Sequence, residues 1–278
     1  MKGICALSGK EAELQLSHIY PKFAVKYLRS TSNNGRLRGY DNVNLIKQDG
    51  LKKYLLSRDA EQRFSVAETW FANNIFHPAT KDGLTDFAYD NHLYYFITSL
   101  LWRALQVELP KEVYRNENYY PQMLACEKQW RSFLSEGYIP YQFPEAYMMV
   151  LHPNQIDIPG LPFTQYYLMR NLDQTVVTND SGCVYIYAKL PRFLFWAPLS
   201  SYHSSPANLI DMRGGYLNSL NLPTDRVING FIPNRIAEIS RLNNQLSPQQ
   251  EEATLAQIKK DRDGFLASEA GRLIQSRR

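Results

Sequence analysis

The chain has 278 residues, enough for one large domain or two smaller ones, and its 44% hydrophobic and 21% charged content suits a soluble globular protein with a sizeable core. Three cysteines, Cys5, Cys126 and Cys183, are too few and too scattered for a disulfide framework, so a reducing, cytoplasmic setting is expected. The N-terminus runs into Cys5 and charged residues without an apolar leader, and the most apolar run, 93–105, is broken by Arg103 and too short for a bilayer, so neither a signal peptide nor a membrane partner is expected.

Net charge is +4 but unevenly spread. Residues 1–64 hold 12 Lys and Arg against 6 Asp and Glu, a balance of +6, which leaves −2 for the remainder. A basic N-terminal third is compatible with nucleic-acid contact and equally with ordinary surface charge. Aromatic content is 13%, with 19 Tyr, which serves half-buried sheets, interfaces and base stacking alike.

Residues 1–20 predict a short knuckle or hairpin, because Leu14, Leu16 and Ile19 partly alternate. Pro21 opens a helix with Phe23, Tyr27 and Leu28 at helical spacing. Residues 30–39, STSNNGRLRG, read as a loop. The Asp49-Gly50 pair is a turn signal that predicts a hairpin over 43–56. A helix follows from Arg58, carried by Phe64, Ala67, Phe71 and Ile75 and ended by Pro78. Further helices are expected over 90–108, stopped by Pro110, and over 122–136, ended by Gly137.

From residue 138 to 235 the texture turns to Pro, Tyr and β-branched residues. YMMVLH, FTQYYLMR, TVVT, CVYIYAKL and FLFWAPL read as strands of an antiparallel sheet, with a turn at NDSG, 179–182. A last helix runs from the Ser247-Pro248 cap to about 275, with Gly264 as a weak spot. The fold class is thus α+β. Its parts are a small N-terminal module over 1–78, a helical region over 79–137, and a β-rich region with a C-terminal helix over 138–278. The 137/138 boundary is soft enough for one compact domain.

The chemistry-bearing residues come in a fixed order: Cys5-x-x-Ser8, Ser17-His18-Ile19-x-Pro21, Asn44-Leu45, and Ser57-x-x-Ala60-Glu61. Over roughly residues 4–76 this order resembles the HNH endonuclease family, and more closely bacterial HNH-like proteins that carry Ser-His-Ile-x-Pro. The resemblance implies a treble-clef, ββα-type module whose structural zinc would sit at positions 5, 8, 57 and 60. Only Cys5 is a zinc ligand by chemistry. Serine oxygen binds zinc poorly and alanine not at all, so no zinc is expected and packing must replace it.

The resemblance also assigns roles. His18 becomes the general base that takes a proton from water, Asn44 a positioner, and Glu61 and Asp59 the ligands of a divalent metal such as magnesium, with Glu68 a further carboxylate. Competent sites of this family often carry Asp or His just before the base, where this chain has Ser17. Each residue also has a plain structural reading. His18 reads as a hydrogen-bonding residue of the knuckle, Asn44 as turn chemistry, and Asp59 and Glu61 as carboxylates at a helix N-terminus. Lys22, Lys26, Arg29, Arg36, Arg38, Lys47, Lys52 and Lys53 are candidate phosphate contacts and equally surface charges. His77, His92, His152 and His203 lack ligand-spaced neighbours, and there is no P-loop, G-x-G-x-x-G or G-x-S-x-G.

Two functions follow as expectations. One is an HNH-like, metal-dependent nuclease; the other is a non-catalytic descendant that binds nucleic acid or a protein. The resemblance further implies a bacterial effector of phage defence or a toxin, with nucleic acid as partner and a protein partner at the aromatic sheet.

Overall fold

The computed structural model describes residues 1–39, 42–137, 145–152, 158, 161, 163–178, 182–199, 208–218, 226–243 and 245–275. Strands β1 (Lys2–Ile4) and β2 (Glu11–His18) form the expected hairpin. Between them Gly9 takes φ +68°, and its N–H donates to the Cys5 carbonyl at 2.8 Å, a left-handed geometry that glycine adopts without strain. Helix α1 (Lys22–Ser30) follows Pro21 at its N-cap, where the missing amide hydrogen costs no helical bond.

The loop expected over 30–39 contains β3 (Leu37–Gly39), which pairs with β4 (Asn42–Lys47). The hairpin expected over 43–56 does not form. Strand β5 (Lys52–Ser57) pairs with β2 and completes a sheet of order β1-β2-β5. The reason is burial: this pairing sends Leu14 and Leu56 into one core with Cys5.

Helix α2 (Arg58–Phe71) buries Ala60, Phe64, Ala67 and Phe71 at helical spacing. Ser57 caps it, its Oγ accepting the Ala60 N–H at 3.4 Å. Pro78 does not end the helical run. Two π-helical turns, Ala72–Phe76 and Pro78–Asp82, carry it to Gly83 at φ +70°. Pro78 is the first residue of the second turn and follows His77, which keeps helical geometry at φ −67°.

Next come β6 (Asp86–Tyr89), α3 (Asn91–Glu108), α4 (Glu112–Arg115) and α5 (Tyr120–Glu136). Asp90 caps α3 by accepting the His92 N–H at 2.9 Å, and Gly137 ends α5 at φ +74°.

Strands β7 (Tyr147–Val150), β8 (Asp173–Thr178), β9 (Val184–Leu190) and β10 (Phe193–Pro198) form an antiparallel sheet of order β7-β10-β9-β8. FTQYYLMR is no strand but helix α6 (Thr164–Arg170), on which Tyr167, Leu168, Met169 and Arg170 are all buried. Short segments buried nearly all round carry no readable period, and tertiary packing overrode the aromatic strand propensity.

Strand β11 (Gly215–Asn218) pairs with β6, and α7 (Arg226–Asn243) follows. The single helix expected over 247–275 is three: α8 (Pro248–Lys260), α9 (Arg262–Ala267) and α10 (Glu269–Gln275). Asp261 and Ser268 break it, their side chains capping Gly264 N–H and Gly271 N–H at 3.0 Å each. Residues 179–181 of the expected turn, and His203, lie outside the described residues.

The mixed composition with antiparallel sheets agrees with the α+β expectation. One apolar cluster runs from Cys5 and Leu14 through Phe71, Phe96 and Trp102 to Phe193 and Phe195, so all three expected segments share it. On the sheet's other face Tyr185, Tyr187 and Trp196 pack with Tyr167 of α6 and Ile232 of α7. With both faces covered, every residue of β9 and β10 is buried. Among the described residues no helix is long and apolar enough to cross a membrane.

Candidate functional site

The knuckle brings the four expected zinc positions together. Cys5 is fully buried, and its Sγ accepts the Ser57 N–H at 3.3 Å. Burial pushes the Cys5 thiol up, but hydrogen bonds from Ser57 and Ser8 outweigh it and bring its pKa down to about 7. Ala60 is buried in the same cluster and is tied to Ser57 by the helix cap. A thiol, two serines and an alanine methyl are joined here by hydrogen bonds and packing.

His18 ends β2 and is half-buried. Its Nε2 stands 3.1 Å from Oδ1 of Asp49, in the turn before β5. Lys52 pairs with the other carboxylate oxygen at 2.5 Å, and the Gly50 N–H donates to Oδ1 at 2.8 Å. Burial pushes the Asp49 carboxyl up, yet Lys52, Gly50 and His18 together hold it well below the usual carboxylate range. An ionised carboxylate therefore fixes the imidazole ring, and Nδ1 has no protein partner among the described residues.

The α2 carboxylates do not reach this ring. No hydrogen bond or ion pair joins His18 to Asp59, Glu61 or Glu68. Glu68 is held instead by Arg103 of α3, whose Nη2 lies 2.7 Å from Oε1 and whose Nη1 donates to the His18 carbonyl at 3.1 Å. Arg103 is only 3% exposed, so this bridge lies inside the protein. Asp59 is exposed, whereas Glu61 has a buried Oε1 without a hydrogen-bond partner, an acceptor that suits a cation. No group of three His, Cys, Asp or Glu side chains stands together among the described residues. Any metal here would draw on one or two carboxylates, with phosphate and water completing its shell.

Asn44 serves a different end. Its Oδ1 accepts the Ser247 N–H at 2.7 Å and its Nδ2 donates to the Gln245 carbonyl at 3.2 Å, clamping the start of α8. Lys22 and Lys26 are exposed on α1. Arg36 is exposed beside Arg38, which donates to the Val43 carbonyl, Gln250 and Thr254. Lys52 is committed to Asp49, and Lys53 pairs across the ladder with Ser17, one rung from His18. Arg36, Arg38 and Asp49 also line a cavity of about 760 Å³, which is lined deeper in by Tyr20, Glu108 and the Asp173–Arg235 pair.

Two residues of this site escaped the sequence reading. Asp49 was legible only as a turn residue. Arg103 was legible only as a charge interrupting an apolar helix, and that interruption was the one signal that it had a partner to meet. Comparison of the chain with protein-family models, curated proteins and solved structures finds no match.

Proposed function

We propose that the chain is an HNH-like nuclease-fold protein that acts on nucleic-acid phosphodiesters, with His18 as general base and Asp49 as the carboxylate that orients it. The observation that carries this reading is the His18–Asp49–Lys52 chain of contacts. An imidazole held through one nitrogen and open at the other is arranged to accept a proton from water. Deprotonated water then attacks phosphorus, and the Lys52 ammonium beside the ring would offset the charge that develops on phosphate. A divalent metal such as magnesium is part of the family expectation, but Asp59 and Glu61 follow Ser57, which pairs with Leu14 at the far end of the ladder from the His18–Lys52 rung, so no step is routed through it. The knuckle of Cys5, Ser8, Ser57 and Ala60 supplies rigidity without zinc. The role of phage-defence or toxin effector is part of this proposal and rests on the resemblance of residues 4–76 alone.

One observation favours a second reading. Arg103 neutralises Glu68 directly behind His18, and no α2 carboxylate touches the ring. That arrangement suits a non-catalytic module that binds nucleic acid or a protein. The two readings separate when the chain is incubated with plasmid, single-stranded DNA and RNA in magnesium or manganese. Cleavage that disappears in His18→Ala supports the enzyme. Intact substrate, with binding unchanged in His18→Ala, returns the binding module.

A further inference from the structure

Beside His18 the ladder presents a feature with no structural task. Three consecutive pairings join β2 to β5: His18 with Lys52, Ser17 with Lys53, and Leu16 with Tyr54. Side chains alternate along a strand, and directly opposed residues point to the same side. Ser17 is 2% exposed and faces inward, so the rungs on either side of it face outward together. Tyr54 is 50% exposed and Leu16 is 49% exposed. The ladder is irregular between Gln15 and Leu16, where Leu55 of β5 is left unpaired, and this bulge sets which side chains face out beyond it. The result is a phenol ring and an isobutyl group side by side in water, two residues, or about 7 Å, along the strand from the imidazole and ammonium of His18 and Lys52.

We propose that Tyr54, backed by Leu16, is a stacking platform for an unpaired base, so that the substrate class of the His18 site is single-stranded nucleic acid. This rests on the reading of His18 given above. The chemistry selects the occupant. An apolar partner alone would leave the adjacent His18, Lys52 and Asp49 to be desolvated, whereas a nucleotide matches both rungs, its base on the ring and its phosphate beside the Lys52 ammonium that Asp49 holds in place. A duplex keeps its bases stacked inside and offers Tyr54 nothing to stack upon. Tyr54 is a positioning residue and takes no part in the proton transfer.

The test is fluorescence anisotropy of the full chain with a labelled single-stranded oligonucleotide and with the same strand in a duplex. Wild type, Tyr54→Ala, Tyr54→Phe and His18→Ala are compared, with cleavage read in parallel. The expected result is single-strand binding weakened about tenfold or more in Tyr54→Ala and kept in Tyr54→Phe. Duplex binding stays unchanged in Tyr54→Ala. Circular dichroism shows that each variant is folded. Equal single-strand binding by wild type and Tyr54→Ala overturns the platform, as does an equal loss on both forms. A change of molar mass in Tyr54→Ala by light scattering also overturns it, because the patch is then a contact between copies. Cleavage retained in His18→Ala sinks the catalytic reading while the Tyr54 binding ratio still stands, so the two failures are told apart.

Discussion

The Ser57 N–H donates to the Sγ of Cys5 at 3.3 Å, which joins the first and third positions of a four-point knuckle across 52 residues of chain. Cys5 and Ala60 lie in the core cluster that the rest of the chain completes, so burial and hydrogen bonding hold these positions. Cysteines at the other three positions should create a zinc site. Ser8→Cys, Ser57→Cys and Ala60→Cys combined are expected to bind one zinc per chain and to raise the melting temperature, reversibly with chelator. Wild type is expected to bind none. Metal analysis after dialysis reads both, and a triple variant without zinc would show that the four positions, though close, are not tetrahedrally placed.

Arg103 holds two parts of the module at once, the Glu68 carboxylate and the His18 carbonyl. Arg103→Met strands both in a site where the guanidinium is buried. A loss of about 3 kcal/mol is expected in urea unfolding, from the usual cost of breaking a buried pair. Adding Glu68→Gln should recover part of it, since the stranded charge is gone. Strictly additive losses would mean that the pair does not couple.

The Asp49 carboxyl lies below its ordinary value of 3.8 in the folded chain, so it binds its proton less readily than in the unfolded chain. Its stabilising contribution is therefore complete above pH 3.8 and is lost as pH falls through the lower, folded value. Asp49→Asn should be less stable than wild type at neutral pH, with the gap closing on acidification below about pH 4. A constant gap across that range would place the stabilisation elsewhere. Acid titration followed by circular dichroism measures it.

Asn44 spends both ends of its amide on Gln245 and Ser247. Asn44→Ala removes two hydrogen bonds worth about 1 kcal/mol each. Faster hydrogen exchange in α8 is expected, with cleavage unaffected. Unchanged exchange together with lost cleavage would return Asn44 to the chemistry.

What could be read in advance was what period and capping announce. Helix α3 showed its stop before Pro110, α2 its stripe of Phe64, Ala67 and Phe71, and α5 its terminal Gly137. What could not be read was partner choice. The chain does bend at Gln48 and Asp49, but nothing local says that β5 pairs with β2 rather than β4, because that is decided by which strand brings Leu56 to the core. Helix α6 failed for a related reason, since a segment buried almost all round has no polar face to set its period. At the site, His18 and the knuckle positions were legible through residue type and order. Asp49 and Arg103 were not, since each acts through a contact made only when distant segments meet.

The most direct measurement is the single-turnover rate of phosphodiester cleavage by wild type, His18→Ala and Asp49→Asn, each verified as folded. If His18 is the base and Asp49 its orienter, wild type cleaves. His18→Ala is then slower by about 10²–10⁴-fold, and Asp49→Asn falls between the two. Cleavage at the wild-type rate in His18→Ala, or none by wild type on DNA or RNA with magnesium or manganese, would contradict it and leave the knuckle as architecture.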